Sequence, residues 1–416
     1  MYETLKKLET EKRPIRVAVV GAGGSMGKGI CLQTKLTPGL QLVAAIDIDI
    51  ETAEEAANLS GYPEVLFNNK LSQVLKETEI DVLVESTNTV EFAAEACIEA
   101  LERKIHVVLM NAEVDLLLRP YLHHLAEENG VVITSDAGDQ HGVVARMAEE
   151  IQMWGFDLVM LGNIKGFLNR YATIDGMREE AAKRYLNVIQ CVAYTDGTKL
   201  NFEQALLANG FGMLPWQRGM LGPKCDDVND IFQTVFWDVT MLEGMRRGGC
   251  VDYILGAEPG AGVFVIGYCE DKLQQQYLEY YKRGGGPYYL FYRPYHLCHL
   301  ETPRAIANAF LYGKKILEPK GKLTDVFAFA KKKLYKGLAI SHGIGSNEFY
   351  GMIDSSENAK NMVPIALLET ECQTKPILER NLGQDRPLTW RDIDFNDSKL
   401  FSLYQEQKKF LKLKQK

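Results

Sequence analysis

A chain of 416 residues predicts two or three domains, and its composition of 46% hydrophobic and 25% charged residues excludes a disordered or low-complexity protein. The formal net charge of −8 argues against a broad basic surface, so nucleic acid is not an expected partner. No apolar run approaches the roughly 18 residues that a membrane-spanning helix needs.

The first third of the chain alternates between short apolar runs and longer amphipathic segments. Strands are predicted at residues 15–20, 42–47, 82–85, 106–110 and 131–134, and the clearest helices at 90–103 and 116–129. Strands that are apolar throughout need helices on both faces of their sheet. The alternation therefore predicts an α/β fold whose N-terminal domain is a Rossmann-type, doubly wound parallel sheet.

A glycine-rich turn, GAGGSMG at residues 21–27, follows the first predicted strand and precedes a helix. Glycines let a backbone come close to a pyrophosphate, and the free N–H groups of a helix N-terminus bind its charge. The strict G-x-G-x-x-G spacing is not met, but two shifted patterns fit, with Gly23 or Gly24 as the middle glycine. The turn predicts a dinucleotide site, and a purely structural turn is the alternative. The residues assigned to the cofactor here are Gly21, Gly23, Gly24, Ser25, Met26 and Gly27.

Asp47 closes the second predicted strand, where an acidic residue accepts the adenosine ribose hydroxyls in such domains. Asp49 is the next candidate for this role. Residues 47–55 contain no Arg or Lys, so a 2′-phosphate would meet only negative charge, and NAD is favoured over NADP. The alternative is that Asp47 only caps the following helix.

Polar residues also follow the next two predicted strands. Ser86 and Thr87 come after the strand at 82–85, and Asn111 comes after the strand at 106–110. The carboxyl ends of parallel strands share the edge at which ligands bind. We therefore predict that these three residues contact the cofactor, with Asn111 near the nicotinamide.

From about residue 135, polar clusters that contain glycine become frequent. They are GDQHG at 138–142, GNIKG at 162–166 after a predicted strand at 156–161, and TDGTK at 195–199 after another apolar run. Loops after strands face the ligand in α/β enzymes, although Asp-Gly-Thr is also an ordinary turn signal. The predicted catalytic residues are Lys165, Lys199, Asp139 and Asp196, and the predicted substrate-binding residues are His141, Glu203 and Asn209.

Arg293 and His296 lie in an aromatic and otherwise apolar stretch at 287–300, which Glu301 follows. A histidine in such surroundings is either a buried core residue or part of a substrate pocket. We predict the second role for His296, together with Arg293, and keep the first as the alternative.

These motifs resemble the homoserine-dehydrogenase-like oxidoreductases, a family that also contains enzymes like deoxyxylulose 5-phosphate reductoisomerase. The resemblance covers essentially the whole chain. It rests on GAGGSMGKGI, GDQHG, GNIKG, YTDGTK with Glu203 and Asn209, VDYILGAEPGAGVFV and FYRPYHLCHLETP. It implies a nucleotide-binding domain, a substrate domain that also forms a homodimer, and oxidation or reduction of a small polar alcohol or carbonyl.

The substrate does not follow from this resemblance. Homoserine dehydrogenases have an Asn-Lys pair on the fifth strand, whereas Asn111 is followed here by Ala112. Reductoisomerases of the family favour NADPH, whereas Asp47 favours NAD.

The C-terminal part begins with a lysine-rich stretch and a predicted linker at 319–321. Strands are predicted at 325–330, 348–353 and 363–369, and residues 324–394 resemble the small SAF domain of sugar-acid-handling proteins. The tail at 400–416 has a basic helical pattern, for which a solvated face is expected. The predicted domains are therefore 1–150 for the nucleotide, 151–318 for the substrate and the dimer, and 319–416 for the SAF-like domain and tail.

Two further features bear on location. The N-terminal segment is charged and lacks the apolar core of a signal peptide. The eight cysteines are scattered singly with no C-x-x-C pair, which is typical of reduced thiols and not of a disulfide framework or a zinc site. We expect a soluble, cytoplasmic protein.

Together the motifs predict an NAD(P)-dependent dehydrogenase or reductase. Lysine is a good proton donor to a developing alkoxide, so Lys165 or Lys199 takes that role, with Asp139 and Asp196 orienting the lysines or the substrate hydroxyls. Alternatively, Asp139, Asp196 and Glu203 hold a divalent metal, which an isomerising reductase would require. A sensor that binds a dinucleotide and a sugar acid without turnover is a third interpretation.

Overall fold

The computed structural model describes residues 1–184, 186–234, 239–371 and 375–414. Within these ranges the α-helices are α1 (Tyr2–Thr10), α2 (Ser25–Leu36), α3 (Ile50–Ser60), α4 (Leu71–Glu77), α5 (Glu91–Glu102), α6 (Ala112–Asn129), α7 (Gln140–Met153), α8 (Ile174–Lys183), α9 (Val188–Thr195), α10 (Thr198–Phe211), α11 (Ile231–Thr234), α12 (Val239–Gly248), α13 (Lys272–Tyr280), α14 (Cys298–Tyr312) and α15 (Lys399–Lys414). The β-strands are β1 (Ile15–Val20), β2 (Leu40–Ile46), β3 (Leu66–Asn68), β4 (Val82–Glu85), β5 (His106–Leu109), β6 (Ile133–Ser135), β7 (Asp157–Lys165), β8 (Leu214–Pro215), β9 (Cys250–Leu255), β10 (Val263–Tyr268), β11 (Tyr288–Arg293), β12 (Thr324–Ala330), β13 (Phe349–Ser355), β14 (Ile377–Leu378) and β15 (Ile393–Asp394).

The chain forms two compact units, and each is assembled from segments that are distant in sequence. The first unit contains residues 1–142, residues 297–318 and the helix that begins at Lys399. The second contains residues 143–296 and 319–398. These boundaries differ from the three consecutive domains predicted from the sequence, because α14 and α15 return to the first unit after the chain has built the second.

The first unit contains a parallel sheet with the strand order β3-β2-β1-β4-β5-β6. The order reverses between β1 and β4, as in a doubly wound fold, and the predicted Rossmann-type α/β class is confirmed. The predicted bounds of β1 and β4 agree with the structure. The short strand β3 is not predicted, because none of its three residues is buried and it lacks an apolar run.

Two late helices complete the first unit. Ala305, Ile306 and Ala307 of α14 are buried in the same hydrophobic core as β1 and β2. On α15, Leu400 and Tyr404 are buried one turn apart. The predicted helix at the tail is therefore confirmed, but it buries one face and is not solvated all round.

Gln407 joins α15 to the backbone of α6 next to a proline of that helix. Pro120 lies inside α6 and brings no N–H to its ladder of hydrogen bonds. The Gln407 side chain enters the ladder there, since its Nε2 donates to Leu117 O at 2.8 Å and its Oε1 accepts from Tyr121 N at 3.2 Å. These two backbone groups would otherwise pair with each other in a regular helix. The side chain thus satisfies a backbone gap and fixes the tail.

The second unit contains a mixed sheet with the strand order β11-β10-β7-β9-β8. Strand β7 pairs in parallel with β9 and antiparallel with β10. Helix α10 is buried along nearly its whole length, including polar residues such as Asn201, Glu203 and Asn209. Burial of polar groups costs free energy unless they are bonded, so each of these side chains needs a partner.

Strands β12 and β13 form an antiparallel pair from Thr324 opposite Ser355 to Ala330 opposite Phe349. This confirms two of the three strands predicted in the C-terminal part. The third is wrong, because Ile365–Leu368 form a 3₁₀ helix in which every residue is buried. A short run that is apolar throughout carries no alternation by which a strand could be recognised.

The β12–β13 pair belongs to the second unit because it packs on α10. Thr198 Oγ1 accepts from Gly351 N at 2.8 Å, and Asn201 Oδ1 accepts from Ile353 N at 2.8 Å.

Among the helices in the described ranges, none combines the length and apolarity needed to cross a membrane. The cysteines in those ranges form no disulfide.

Candidate functional site

The glycine-rich turn lies at the carboxyl end of β1, beside the loop that follows β4. Gly21 has a φ of +75°, and a Cβ atom there would lie 2.8 Å from Thr87 N and 2.9 Å from the Ser86 carbonyl carbon. A Cβ atom on Gly27 would overlap the Gly21 carbonyl oxygen. Glycine is therefore required at residues 21 and 27 by close approach of the backbone.

Gly24, in contrast, borders open space at the start of α2. Its φ of −69° and ψ of 162° suit any residue, and an added Cβ would have Gly21 O, at 3.4 Å, as its neighbour. Within the described ranges no side chain caps α2, and its first turn has no acidic residue. The N–H groups of Ser25, Met26 and Gly27 thus present the positive end of a helix, which suits a phosphate.

Asp47 lies one residue beyond β2 and binds the glycine-rich turn. Its Oδ2 accepts from Gly23 N at 2.8 Å. A Cβ on Gly23 would overlap Thr52 Oγ1, so the pattern with Gly23 as the middle glycine is the one that the packing requires. Helix α3 is capped by Asp49, whose side chain accepts from two first-turn amides. The interpretation of Asp47 as the cap of this helix is therefore wrong.

The loop after β4 is held from two sides. Ser86 Oγ donates to the last carbonyl of β1 at 2.7 Å. Asn111 Nδ2 donates to Thr87 O at 3.2 Å and to Thr89 O at 2.6 Å, while its Oδ1 caps the N-terminus of α6. Ser86 and Asn111 therefore place Thr87 beside Gly21, and both support the shape of the predicted cofactor site.

Glu85, which the sequence analysis did not assign to the site, lies under the same loop. It is fully buried at the end of β4, and its Oε1 accepts from the Thr87 amide at 2.9 Å and from the Thr87 hydroxyl. Burial raises the pKa of Glu85 to about 8. The carboxyl group is therefore mostly neutral at pH 7.

The raised pKa of Glu85 gives a testable pH dependence of stability. The folded state binds this proton more tightly than the unfolded state, so the stabilisation is complete below the ordinary pKa and is lost as the pH rises through about 8. Between about pH 5.5 and about pH 7.5, the free energy of unfolding should fall more steeply with rising pH in the wild type than in Glu85→Gln. The two slopes should differ by up to about 1.4 kcal/mol per pH unit. Urea denaturation of both proteins across this range measures the difference, and parallel pH profiles would contradict the assignment.

Asp139 and His141 lie at the start of α7, after β6, and both are buried. His141 Nδ1 is 3.9 Å from Asp139 Oδ2, and Cys298 Sγ is 4.0 Å from Asp139 Oδ1. The nearby Asp136 is fully buried, and burial raises its pKa to about 7. The first unit therefore gathers two carboxyl groups and an imidazole at the carboxyl end of β6.

In the second unit, Lys165, Asn163 and Glu203 form a cluster. Glu203 Oε2 accepts from Asn163 Nδ2 at 2.5 Å, and Lys165 Nζ lies 3.7 Å from the same oxygen. The side chain of Glu203 is 3% exposed and that of Lys165 is 18% exposed. A buried carboxylate is costly unless it is paired and hydrogen-bonded, and this one has both kinds of partner. The ammonium group is thereby held at the carboxyl end of β7.

The first four residues of the GNIKG motif lie within β7, whereas the sequence analysis placed the motif in a loop after a strand that ends at residue 161. Strand β7 continues to Lys165. Gly162 is needed in the strand because a Cβ there would overlap the Phe264 ring and lie 2.6 Å from Asp252 O. Glycine here allows close packing and does not mark a turn. Since strand side chains alternate, Asn163 and Lys165 point to the same face.

The TDGTK motif joins α9 to α10, so the apolar run before it is a helix and not a strand. Asp196 Oδ1 accepts from Thr198 N at 2.8 Å, and its Oδ2 lies 2.8 Å from Lys331 Nζ in a buried ion pair. This pairing favours a structural role for Asp196, whereas the sequence predicted that Asp196 orients a catalytic lysine or the substrate hydroxyls. Lys199 is partly buried in the first turn of α10, and Glu203 lies one turn further on the same side.

The remaining predicted substrate residues have different surroundings. Asn209 Oδ1 accepts from the amides of Leu323 and Thr324, both at 2.8 Å, and its Nδ2 donates to Thr324 O at 3.1 Å. These bonds attach α10 to β12 and favour a structural role. The Arg293 guanidinium lies 4.4 Å from the centroid of the Tyr295 ring. His296 is only partly buried, so it is not a core histidine.

Three functional or supporting residues were missed by the sequence analysis. Glu85 is the last residue of the predicted strand at 82–85, and Asn163 stands inside the quoted GNIKG motif. A charged or amide side chain at the end of an apolar run is the signal that could have found both. Lys331 has no local signal, because its partner Asp196 is far away in sequence.

Two family models match this chain. Residues 15–136 match the N-terminal domain of dihydrodipicolinate reductase, and residues 138–302 match the catalytic domain of the oxidoreductase DRL. The first match covers the parallel sheet with its glycine-rich turn. The second contains Asp139, His141, Lys165, Glu203 and His296.

A curated relative is 4-hydroxy-tetrahydrodipicolinate reductase from Methanococcus maripaludis, which is 36% identical over 91 residues. The match covers 20% of this chain and 32% of the reductase, so the chain spans about a third of that relative's length. Solved structures with low similarity include myo-inositol 2-dehydrogenase from Lactobacillus plantarum, with a TM-score of 0.40, 16% identity and coverage of 62% of this chain and 75% of that one. They also include dihydrodipicolinate reductase from Paenisporosarcina sp. TG-14, with a TM-score of 0.38, 13% identity and coverage of 74% and 96%.

Both matched family models describe domains of oxidoreductases, so the predicted class of enzyme is confirmed by them. The resemblance stated from the motifs is confirmed only at this level. Neither homoserine dehydrogenase nor the SAF domain is supported by these matches. Residues 15–136 are thus similar to the N-terminal domain of a reductase, and residues 138–302 are similar to the catalytic domain of an oxidoreductase.

Proposed function

We propose that this protein is an NAD(P)-dependent oxidoreductase that transfers a hydride to or from a small polar carbonyl or hydroxyl substrate. The observation that carries the proposal is the glycine-rich turn at the point where the strand order of a parallel sheet reverses. Open sheets of this kind bind their ligands at that point. The matches to oxidoreductase domains support the same class of reaction.

The described residues fit a dinucleotide. The space beside Gly24 and the uncapped N-terminus of α2 suit a pyrophosphate, and Asp47 stands where a ribose would be read. Ser86, Thr87 and Asn111 shape the adjoining loop. When bound, the nicotinamide ring would supply or accept the hydride. In the protein, Glu85 and Asn111 hold the loop so that Thr87 keeps its place beside Gly21.

Lys165 is the proposed proton donor to the developing alkoxide. Its ammonium group is largely shielded from solvent and is held near Glu203, which Asn163 in turn fixes. A positioned, shielded donor stabilises an oxyanion more strongly than one in water. Glu203 positions the ammonium group of Lys165, and transfer of the lysine proton to the substrate leaves a neutral amine beside that carboxylate. Lys199 is the competing donor.

A divalent metal at Asp139, Asp196 and Glu203 is less well supported. Asp196 is paired with Lys331, and Glu203 already binds Asn163 and Lys165. A metal would have to replace two ammonium groups as their partners. The described contacts therefore favour proton transfer by lysine over metal chelation.

The choice of cofactor gives a prediction. Because residues 47–55 contain Asp47 and no Arg or Lys, NAD should bind more tightly than NADP, whose 2′-phosphate Asp47 would repel. Asp47→Ser combined with Ile48→Arg should reverse the order, since Ile48 is 93% exposed and tolerates a charged side chain. Fluorescence titration with both cofactors measures it. A wild-type preference for NADP of about tenfold or more, equal to about 1.4 kcal/mol, would show that another loop reads the ribose.

The identity of the substrate is a finer proposal. Homoserine-like compounds and sugar phosphates such as 1-deoxy-D-xylulose 5-phosphate are the two candidates that the family resemblance offers, and the resemblance of residues 324–394 to the SAF domain adds a sugar acid. We also propose that the protein forms a homodimer. The non-catalytic sensor is the rival function, and the shielding of Lys165 supports the enzyme instead. A turnover screen over these compounds with NAD and NADP distinguishes them.

A further inference from the structure

Helix α13 turns its apolar stripe to solvent. Leu273, Tyr277, Tyr280 and Tyr281 follow each other at spacings of four, three and one, which places them on one side of a helix, and each is 57% to 79% exposed. The buried residue of α13 is the polar Gln275, whose Nε2 donates to Cys269 O at 2.8 Å. A helix packed on its own domain normally buries the apolar side, so this helix is inverted.

The stripe continues into further apolar surface of the second unit. Trp154, at the end of α7, is 48% exposed, and its carbonyl accepts from Gln274 Nε2 at 2.9 Å. The indole ring also lines a groove of about 460 Å³, together with Met147, Ile151 and Phe291. The surface thus has protruding aromatic side chains next to a concave apolar groove.

We propose that this surface binds the same surface of a second copy of the chain around a two-fold axis. We call it the α13 face and define it by Leu273, Tyr277, Tyr280, Tyr281 and Trp154. A closed, isologous pair needs a patch that is complementary to itself. The α13 face meets this requirement because it carries both the protruding rings and the groove that can receive them.

The charges at the two ends of α13 support this occupant. Glu270 and Asp271 precede the helix, and Lys282 and Arg283 follow it. When two copies of a helix pack antiparallel around a two-fold axis, the start of each lies beside the end of the other. The acidic end of one copy therefore meets the basic end of its partner at both ends of the contact, which favours self-association and fixes its direction.

The area is in the range of a stable dimer. Aromatic side chains bury about 150–250 Å² each when fully covered, so the exposed parts of the α13 face and of Met153, its exposed neighbour, amount to roughly 600 Å². A standard interface covers about 800 Å² on each partner, and the flanking charged residues supply the remainder. Apolar patches of this size on a protein surface mark interaction sites.

The test is the oligomeric state of the full-length chain by analytical ultracentrifugation over a range of concentrations. The wild type should form dimers or an even-numbered assembly, and Tyr277→Glu should raise the dissociation constant at least about 30-fold, as loss of a central interface residue does. Tyr335→Glu is the matched control, since Tyr335 is 62% exposed in the same unit but lies outside the α13 face. It should leave the assembly unchanged.

Two further experiments, charge exchange and cysteine cross-linking, distinguish specific pairing from non-specific association. Arg283→Glu should weaken the dimer, and adding Glu270→Lys should restore it by exchanging the two charges across the interface. Tyr277→Cys should form a covalent dimer under oxidation, because this residue lies near the proposed axis, and Tyr335→Cys should not. A monomeric wild type, or an assembly that Tyr277→Glu leaves intact, would overturn the proposal.

Discussion

Replacing Lys165 by methionine should lower turnover by about 10²-fold or more, the range expected when a general acid is lost. Methionine preserves much of the length and packing of the lysine stem but cannot donate a proton. The affinity for the cofactor should be nearly unchanged, because the proposed dinucleotide site is built from residues of the first unit and Lys165 belongs to the second. Steady-state kinetics together with a cofactor titration measure both quantities.

Lys199→Met is the matched control for this experiment, because Lys199 lies one helical turn before the same Glu203. If Lys165→Met retains wild-type turnover and Lys199→Met loses it, the two roles are exchanged. If both variants remain active, neither lysine is the donor. His296 then becomes the leading candidate.

Gly24→Asp should abolish or strongly weaken cofactor binding while leaving the fold intact. The backbone at Gly24 suits any residue, and aspartate is a preferred N-cap, so α2 should gain a few tenths of a kcal/mol. The same carboxylate would occupy the amides that we assign to the pyrophosphate and repel its charge. We expect an affinity at least about 100-fold lower, or about 2.7 kcal/mol.

Gly24→Asn is the control, because asparagine caps the helix with the same shape and no charge. Equilibrium titration with NADH and thermal unfolding should be measured on both variants. The difference between Asp and Asn isolates the electrostatic part of the effect. Equal, wild-type affinity in a folded Gly24→Asp protein would show that the pyrophosphate does not bind at this helix.

Much of the first unit could be predicted because its signals are local. Strands β1 and β4 are apolar apart from Arg16 and Glu85, and the glycine-rich turn follows β1 and precedes α2 directly in the sequence. Asp47 could be proposed for the same reason, since it follows a strand at a fixed distance from the turn. Its bond to Gly23 N could not be anticipated, because it depends on how β2 lies beside β1.

The second unit was harder to predict because its site depends on distant partners. Gly162 indicated a turn but serves the close packing of Phe264 inside a sheet. The sequence predicted that Asp196 orients a catalytic lysine or the substrate. In the structure its charge partner is Lys331, which comes from a distant part of the chain. The burial of Glu203 beside Lys165 follows from the docking of α10 on β7, which no local pattern specifies.

The return of α14 and α15 to the first unit was also beyond local reasoning. A sequence-based division places boundaries where composition changes, whereas Gln407 completes the hydrogen bonds interrupted at Pro120, almost three hundred residues earlier. Such contacts arise only once the chain has folded back on itself.

The most direct test of the central claim is the change in absorbance of the nicotinamide ring during a reaction. The wild-type protein is mixed with NAD or NADH and with one compound of a panel, which comprises small hydroxy acids, homoserine, polyol phosphates and 1-deoxy-D-xylulose 5-phosphate. Our account predicts turnover with at least one of these compounds, and its loss in Lys165→Met. Tight binding of the dinucleotide with no change in its redox state across the whole panel would contradict an oxidoreductase and favour the sensor.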